Sequence, residues 1–159
     1  MTSSDRQAIQ DVLVDYCLRL DRMDLEGLAD LFTLECEVVF GPDPRLRAVG
    51  RDGLRRSMAR MWRWRRTAHH LSDVRIWLDD TNSARAVSYV HAWHEAQDGA
   101  TAEVFGIYRD RLASEQGEWR IAHREMVMNG SQGAFRVPIP QAERAAPPPN
   151  WTPPDGLDG

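Results

Sequence analysis

Lysine is missing from this sequence: all 20 basic residues of the 159-residue chain are arginine. The absence excludes a lysine Schiff base and a lysine general base from any chemistry that the chain performs. Cysteine is scarce, since only Cys17 and Cys36 occur, both in segments with apolar patterning. Two thiols supply neither a disulfide framework nor a four-ligand zinc site, so we expect two buried, reduced cysteines.

Long apolar runs are missing as well. No run approaches the roughly 18 residues that span a bilayer, and residues 1–6 lack the basic start and apolar stretch of a secretory signal. These absences predict a cytoplasmic protein. The net charge of −4 disfavours nucleic-acid binding, and we interpret the arginine-rich stretch 51–66 as a solvated helix face.

Nucleotide, nucleophile and metal motifs are also missing. The sequence contains no P-loop, GxGxxG, GxSxG or HExxH motif and no EF-hand loop. His91 and His94 stand three residues apart on a predicted strand, so they face opposite sides of the sheet, which argues against a shared metal ion. We therefore expect no cofactor and no metal.

What is present is the composition of one globular domain, with 42% hydrophobic and 28% charged residues. An amphipathic helix is predicted to end near Asp21, because apolar residues recur at helical steps before it; these are Ile9, Leu13, Tyr16 and Leu20. Asp24 is a cap for a second, short helix. A third helix opens at Gly50, with an apolar stripe of Leu54, Met58, Met61 and Trp62.

Strand patterns dominate the middle of the chain. Residues 35–40 alternate in polarity, and residues 45–49 are a candidate edge strand. Short polar turns separate four longer strand-like stretches, which are 67–78, 84–96, 101–112 and 118–128. Such turns predict an antiparallel meander. Helices followed by strands predict an α+β fold, with the helices on one face of a curved sheet.

Proline marks a change near the end of the sequence, since seven of the nine prolines follow Gly130. We predict a domain over residues 1–133 and a Pro-rich tail over residues 134–159 without regular structure. The tail is either disordered or an extended arm that wraps the domain, and Trp151 favours partial docking.

A hollow under a bent sheet makes inward polar groups the candidate functional residues. Asp21 is one, with a solvent-exposed helix end as the alternative. Of the neighbours His69 and His70, only one can face the hollow. Parity with Val74 and Ile76 favours His70 unless a bulge intervenes, and a lone inward histidine is commonly an ordinary core residue.

The last strand offers a second adjacent pair, His123 and Arg124. One of the two must point inward, because neighbours on a strand face opposite sides. A buried arginine requires an anionic partner.

Several of these segments resemble the SnoaL-like group of the nuclear-transport-factor-2-like superfamily. The resemblance is carried by Ala8-Ile9-Gln10-Asp11, Tyr16, Asp21, Arg66-Thr67-Ala68-His69-His70 and Trp119-Arg120-Ile121-Ala122-His123-Arg124. It extends to about Gly133. It implies a cone-shaped, mostly antiparallel sheet closed by the N-terminal helices and enclosing a pocket.

The resemblance is greatest to hexachlorocyclohexane dehydrochlorinase, scytalone dehydratase and the bile-acid 7α-dehydratases. It implies an Asp–His pair for β-elimination, carried over to Asp21 and His69 through the Thr-x-His frame. Tyr16 replaces the dehydrochlorinase lysine, which suggests a hydroxyl-bearing substrate, and Arg124 is the implied arginine. The second histidine of scytalone dehydratase is vacant, since that stretch reads Val104-Phe105-Gly106.

The implied roles are chemically coherent. His69 would be the base, and Asp21 would hold its tautomer and stabilise the imidazolium. Tyr16 would donate a hydrogen bond to a leaving hydroxyl or an enolate, and Arg124 would stabilise negative charge on the substrate. Substrate contacts are expected from Trp77, Trp93, Phe105, Leu71 and His70.

The resulting hypothesis is a cofactor-independent lyase or isomerase acting on a hydrophobic cyclic molecule such as a steroid, polyketide or terpenoid. One alternative is a non-catalytic domain that binds a small ligand. Another is a small structural subunit like the β-subunit of ring-hydroxylating dioxygenases, which shares this fold. A homodimer or homotrimer is expected, because the strand over residues 84–96 is apolar on both faces. No nucleic acid or membrane partner is expected.

Overall fold

The structure is a computed structural model that describes residues 3–133 and 135–150. Within them, three α-helices and six strands alternate with two short 3₁₀ turns. In chain order they are α1 (Ser3–Asp21), α2 (Leu25–Asp30), β1 (Phe32–Val39), a 3₁₀ turn (Pro44–Leu46), β2 (Arg47–Val49), α3 (Gly50–Met58), a second 3₁₀ turn (Ala59–Arg63), β3 (Trp64–Leu78), β4 (Ser83–Ala96), β5 (Thr101–Glu115) and β6 (Glu118–Gly133). The predicted α+β class is confirmed.

All six strands form one curved, open sheet in the order β2-β1-β6-β5-β4-β3. Strands β3 to β6 pair antiparallel with their chain neighbours, as the short turns predict. Strand β1 pairs antiparallel with β2 but runs parallel to β6. Local turn signals do not predict that parallel pairing, because it joins segments that are far apart along the chain.

Helix α1 buries its apolar stripe against the inner face of the sheet, chiefly at β3 and β6. The predicted stripe is confirmed, because four residues are at most 3% exposed; they are Ile9, Leu13, Tyr16 and Leu20. Cys17 and Cys36 are buried and unbridged, as expected. Burial raises the pKa of the Cys17 thiol to about 12, so this thiol stays protonated and unreactive at neutral pH.

The cap predicted for α2 is confirmed, whereas α3 ends before the last residues of its predicted apolar stripe. Asp24 caps α2, since its carboxylate accepts a hydrogen bond from the backbone N–H of Gly27 at 3.0 Å. Helix α3 ends at Met58, where a 3₁₀ turn takes over. Beyond that point Met61 still packs against the core, but the prediction is wrong for Trp62, because the turn changes the periodicity and leaves that side chain 62% exposed.

A β-bulge in β3 decides which histidine faces inward. The register with β4 shifts between Ser72 and Arg75, and Asp73 lies within the shift with a φ of 50°. Side-chain parity therefore reverses there. The parity argument that favoured His70 is wrong: His70 is exposed, and His69 is on the inner side.

The first part of the Pro-rich tail is an extended arm. Its backbone pairs with β6, since the N–H of Met128 donates to the carbonyl of Pro140 at 2.7 Å and the N–H of Ala142 donates to the carbonyl of Met128 at 2.9 Å. Ile139 is buried. Of the two alternatives for the tail, the arm is therefore found around residues 135–142. Trp151 lies outside the described residues, and the division at residue 133 stays a prediction.

None of the helices in the described part of the chain is long and apolar enough to cross a membrane.

Candidate active site

A cavity of about 360 Å³ lies between the inner face of the sheet, α1, the second 3₁₀ turn and the arm. Its body is apolar and buried or half-buried, and the arm supplies part of its wall. The side chains of the body are Leu20, Met58, Met61, Val104, Met126, Phe135, Val137 and Ile139. An apolar body of this kind is typical of sites for small hydrophobic ligands.

Asp21 and His69 are in direct contact. The Oδ1 of Asp21 lies 2.6 Å from the Nδ1 of His69, and its Oδ2 accepts the backbone N–H of His69 at 2.8 Å. The hydroxyl of Thr67 donates to the same carboxylate at 2.7 Å. The end of α1 and the inner side of β3 thus hold the pair in one geometry. The His69 ring lines the cavity, and only 5% of its side chain is exposed.

The contact determines the ionisation of Asp21 and the tautomer of His69. Burial acts to raise the pKa of Asp21, but the hydrogen bonds from His69 and Thr67 outweigh it and lower that pKa below its ordinary value. Asp21 is therefore ionised at neutral pH and accepts a hydrogen bond from the Nδ1–H of His69. Because Nδ1 carries the proton of the neutral imidazole, Nε2 is the basic nitrogen.

A second imidazole, from His94 on β4, lies at the same cavity. Its ring stands edge-on to His69 with centroids 5.4 Å apart and packs 4.9 Å from the Trp64 ring. Its Nδ1 is buried and has no hydrogen-bond partner in the described part of the chain. The resemblance left the second-histidine position vacant near Val104; the cavity nevertheless contains a second imidazole, contributed by the strand before.

The charge state of His94 is set by its surroundings. Burial lowers its pKa to about 4, and repulsion from a protonated His69 acts in the same direction. His94 is therefore neutral at physiological pH. A neutral imidazole in this place can donate or accept a hydrogen bond but adds no charge to the cavity.

Folding stability should accordingly fall in mild acid. The unfolded chain binds a proton at His94 near pH 6.5 whereas the folded chain does so only near pH 4, so stability is lost as the pH falls through that window. A shift of this size corresponds to roughly 3 kcal/mol. Urea denaturation at pH 7.0, 5.5 and 4.5 measures it, and His94→Gln should flatten the slope. An unchanged slope in the variant contradicts the assignment.

Tyr16 and Tyr108 form the floor of the cavity. Both are buried and line it, and their rings meet edge-on at 5.9 Å. Burial raises the pKa of Tyr16 to about 12, so its phenol is a neutral donor. Its hydroxyl donates to the thioether of Met58 at 3.9 Å, which is a weak acceptor, and also interacts with the guanidinium of Arg124. Tyr16 is thus free to donate to a stronger acceptor on a ligand.

Arg124 does not line the cavity. Its guanidinium lies between two aromatic rings, 4.1 Å from the Tyr16 centroid and 4.2 Å from the Tyr108 centroid. It forms a bidentate ion pair with Asp110 at 2.7 and 2.9 Å, and neither side chain is exposed. The predicted anionic partner is therefore present. Tyr16 and Tyr108 line the cavity in its place, and the implied role of Arg124 in stabilising negative charge on the substrate stays a prediction.

Most of the predicted substrate contacts lie on the other face of the sheet. Trp77 and Phe105 are 41% and 38% exposed, and Trp93 packs under Arg66 instead of entering the cavity. His70 is exposed as well. Leu71 is on the inner side and packs against the core, but it is not among the residues that line the cavity.

The prediction of these contacts failed for a physical reason. Strands β3 to β5 carry aromatic residues on the outer face, so apolar character alone does not distinguish the two faces of the sheet. A usable signal was present on β4, where small inward residues leave space under the helix; they are Ala84, Ala86 and Ala92. His94 continues that alternation. This alternation of small inward residues indicates that the side chain of His94 also faces the inner side of the sheet.

Metal ligands are not grouped in this site. Among residues 3–133 and 135–150, no three His, Cys, Asp or Glu side chains are close enough to hold a metal ion.

A helix-closed, curved sheet around a cavity is the nuclear-transport-factor-2-like architecture. The SnoaL-like domain profile matches residues 1–125. The chain therefore belongs to the SnoaL-like family. No curated protein matches the chain by sequence.

Solved structures agree with that assignment. A scytalone dehydratase-like protein from Novosphingobium aromaticivorans DSM 12444 is similar, with a TM-score of 0.84 and 27% identity over 90% of this chain and 96% of that chain. A protein of unknown function from Mycobacterium tuberculosis gives a TM-score of 0.71 and 27% identity over 80% and 77%. Hexachlorocyclohexane dehydrochlorinase LinA-type3 from Novosphingobium barchaimii LL02 gives 0.74 and 17% over 89% and 96%, a likeness of fold.

Proposed function

We propose that this protein is a cofactor-independent lyase or isomerase that acts on a hydrophobic cyclic molecule. The observation that carries the proposal is the 2.6 Å contact between Asp21 and His69 at an apolar cavity. A base held in one tautomer by a carboxylate, next to an apolar cavity body, suits proton abstraction from carbon. The similarity to a scytalone dehydratase-like protein favours elimination of water.

The proposed elimination begins at His69. Its Nε2 takes a proton from the carbon next to a carbonyl, and the electron pair of that C–H bond forms the new double bond. Asp21 stabilises the imidazolium that results. The neighbouring C–O bond breaks, and the leaving hydroxide takes the proton that His69 holds, so that water departs and His69 is neutral again. Isomerisation would use the same first step and return the proton to a different carbon.

Neutral donors serve the oxygen atoms of the substrate in this proposal. Tyr16 and His94 stay uncharged at neutral pH because burial raises the pKa of the first to about 12 and lowers the pKa of the second to about 4. Either can hydrogen-bond to a developing enolate or to a leaving hydroxyl. Arg124 acts through the tyrosines: its charge against both rings positions the phenols and makes them better donors.

The test is a panel of cyclic hydroxy-ketones, including scytalone, incubated with the full chain in deuterium oxide and followed by mass spectrometry. The expected result is a product lighter by one water, or deuterium on the carbon next to the carbonyl. A compound that binds in the cavity but is recovered unchanged and unlabelled across a range of pH would instead favour a ligand-binding domain.

Self-association through the outer face of the sheet is part of the proposal. Large aromatic side chains stay exposed there, since Tyr89 is 45% and Phe105 38% exposed, and a second copy would cover them. Light scattering of the full chain should find a dimer or trimer. The double variant Tyr89→Glu and Phe105→Glu should shift it to monomer, and a wild-type monomer at high micromolar concentration contradicts the expectation.

A further inference from the structure

The open side of the cavity carries an excess of positive charge. Four arginines line the cavity, against one carboxylate, Asp43, among the described lining residues. The arginines are Arg45, Arg60, Arg63 and Arg136. All but Arg60 are exposed, whereas the tyrosines are buried and the apolar side chains of the body are buried or half-buried. The arginines therefore mark the entrance. The excess is local, because the chain as a whole carries a net charge of −4.

The single carboxylate is already neutralised. Asp43 accepts three hydrogen bonds from the Arg45 side chain, between 2.5 and 3.1 Å. These bonds lower the pKa of Asp43 to about 2, so Asp43 is ionised at neutral pH and paired with Arg45. The remaining three arginines, which we call the arginine rim, are Arg60, Arg63 and Arg136.

No member of the arginine rim meets an anion in the described part of the chain. Arg60 donates to the carbonyl of Arg45 at 2.9 Å and to the hydroxyl of Ser57 at 2.5 Å. Arg136 donates to two backbone carbonyls, at 2.9 and 3.0 Å. Arg63 lies 5.1 Å over the Trp64 ring. All of these acceptors are neutral, so three guanidinium charges converge on one entrance without compensation.

The proximity of these positive charges affects the pKa of Arg60. Burial lowers its pKa, and repulsion from Arg63 lowers it further. Many arginines elsewhere in the structure are paired with carboxylates, as Arg85 is with Asp79 at 2.8 Å. Uncompensated guanidiniums beside an apolar cavity are the donors that carboxylate and phosphate oxygens accept best.

We propose that the arginine rim binds an oxyanion of the ligand, so that the substrate is an amphipathic molecule with an apolar ring body in the cavity and a carboxylate or phosphate at its entrance. The inference rests on the proposed function only in taking the cavity as the substrate site. It adds the charge and the orientation of the substrate: the anion is held at the entrance while the ring reaches His69.

The test compares two fluorescent probes with the same ring skeleton. Anilinonaphthalene sulfonate carries an oxyanion, and phenylnaphthylamine is its neutral counterpart. We expect the ratio of their dissociation constants, neutral over anionic, to fall about tenfold in the triple variant Arg60→Gln, Arg63→Gln and Arg136→Gln. Added salt should weaken binding of the anionic probe alone. Circular dichroism checks folding, and the double variant of the exposed Arg63 and Arg136 gives an intermediate ratio if Arg60 proves necessary for the fold.

The matched control is the triple variant Arg75→Gln, Arg109→Gln and Arg111→Gln, which removes three exposed arginines away from the cavity and so makes the same change of net charge. A ratio that falls equally in the control, or that does not change in the triple variant of the arginine rim, overturns the proposal. Naphthoate and naphthyl phosphate, used as competitors against naphthalene methanol, distinguish the two oxyanions; competition by the neutral compound as strong as by both anions also overturns it. Asp21→Asn should keep the anion preference while losing turnover, so the two proposals fail separately.

Discussion

Turnover by His69→Ala is expected to fall on the order of 10²-fold or more, because the variant removes the base that accepts the proton from carbon. Asp21→Asn is expected to cost a similar factor. An amide in place of the carboxylate no longer stabilises the imidazolium and no longer selects the tautomer with Nε2 free. The loss should appear in kcat and much less in KM, since neither change removes the apolar wall that binds the ring. Steady-state kinetics on the substrate found by the hydroxy-ketone panel measures both constants.

The control is Asp15→Asn, which makes the same chemical change on the same helix at a half-buried residue that has no part in the cavity. Its kinetics should match the wild type. Thermal denaturation is needed for Asp21→Asn, because Asp21 also accepts hydrogen bonds from the backbone of His69 and from Thr67. Full activity in folded Asp21→Asn and His69→Ala proteins would refute the catalytic assignment.

Removing the buried carboxylate under the cavity floor should have the largest effect on stability. Asp110→Asn leaves the fully buried guanidinium of Arg124 without a counter-charge. Burial opposes that charge, and Asp110 more than offsets the opposition, so the pKa of Arg124 lies above its ordinary value. Breaking such a pair costs about 3–5 kcal/mol. Urea denaturation at neutral pH measures the loss.

Two further variants test whether burial of the ion pair causes the loss of stability in Asp110→Asn. The double variant Asp110→Leu and Arg124→Met removes both charges together, and it should recover much of the lost stability because apolar side chains replace the pair. The exposed pair of Arg85 and Asp79 is the comparison; Asp79→Asn should leave the denaturation midpoint nearly unchanged. Equal losses from Asp110→Asn and Asp79→Asn would contradict the view that burial makes the ion pair important.

Local patterns predicted most of the elements. The 3.6-residue period located α1 and its buried stripe, and the polar turns located the four-strand meander. The parallel pairing of β1 with β6 and the docking of the arm on Met128 were not predictable in this way. Both are contacts between distant segments, and no local signal specifies their partners.

The candidate site was harder to predict from the sequence than the fold. Periodicity alone favoured His70, because the bulge at Asp73 reverses the alternation, and only the family resemblance pointed to His69. The aromatic residues assigned to the cavity wall lie outside, since both faces of the sheet are apolar. Asp110 had no signal beyond the general need of a buried arginine for an anion. His94 was overlooked although its alternation with small residues was visible.

The arm around residues 135–142 lies beyond the family match, which ends at residue 125, yet its side chains from Phe135 to Ile139 close one wall of the cavity. The floor and the Asp–His pair therefore lie within the segment that the family profile matches, while this wall lies beyond it. Exchanging the arm among homologues should change substrate preference without touching the floor or the Asp–His pair. Such a division of labour makes the arm the natural segment to graft when an altered preference is sought.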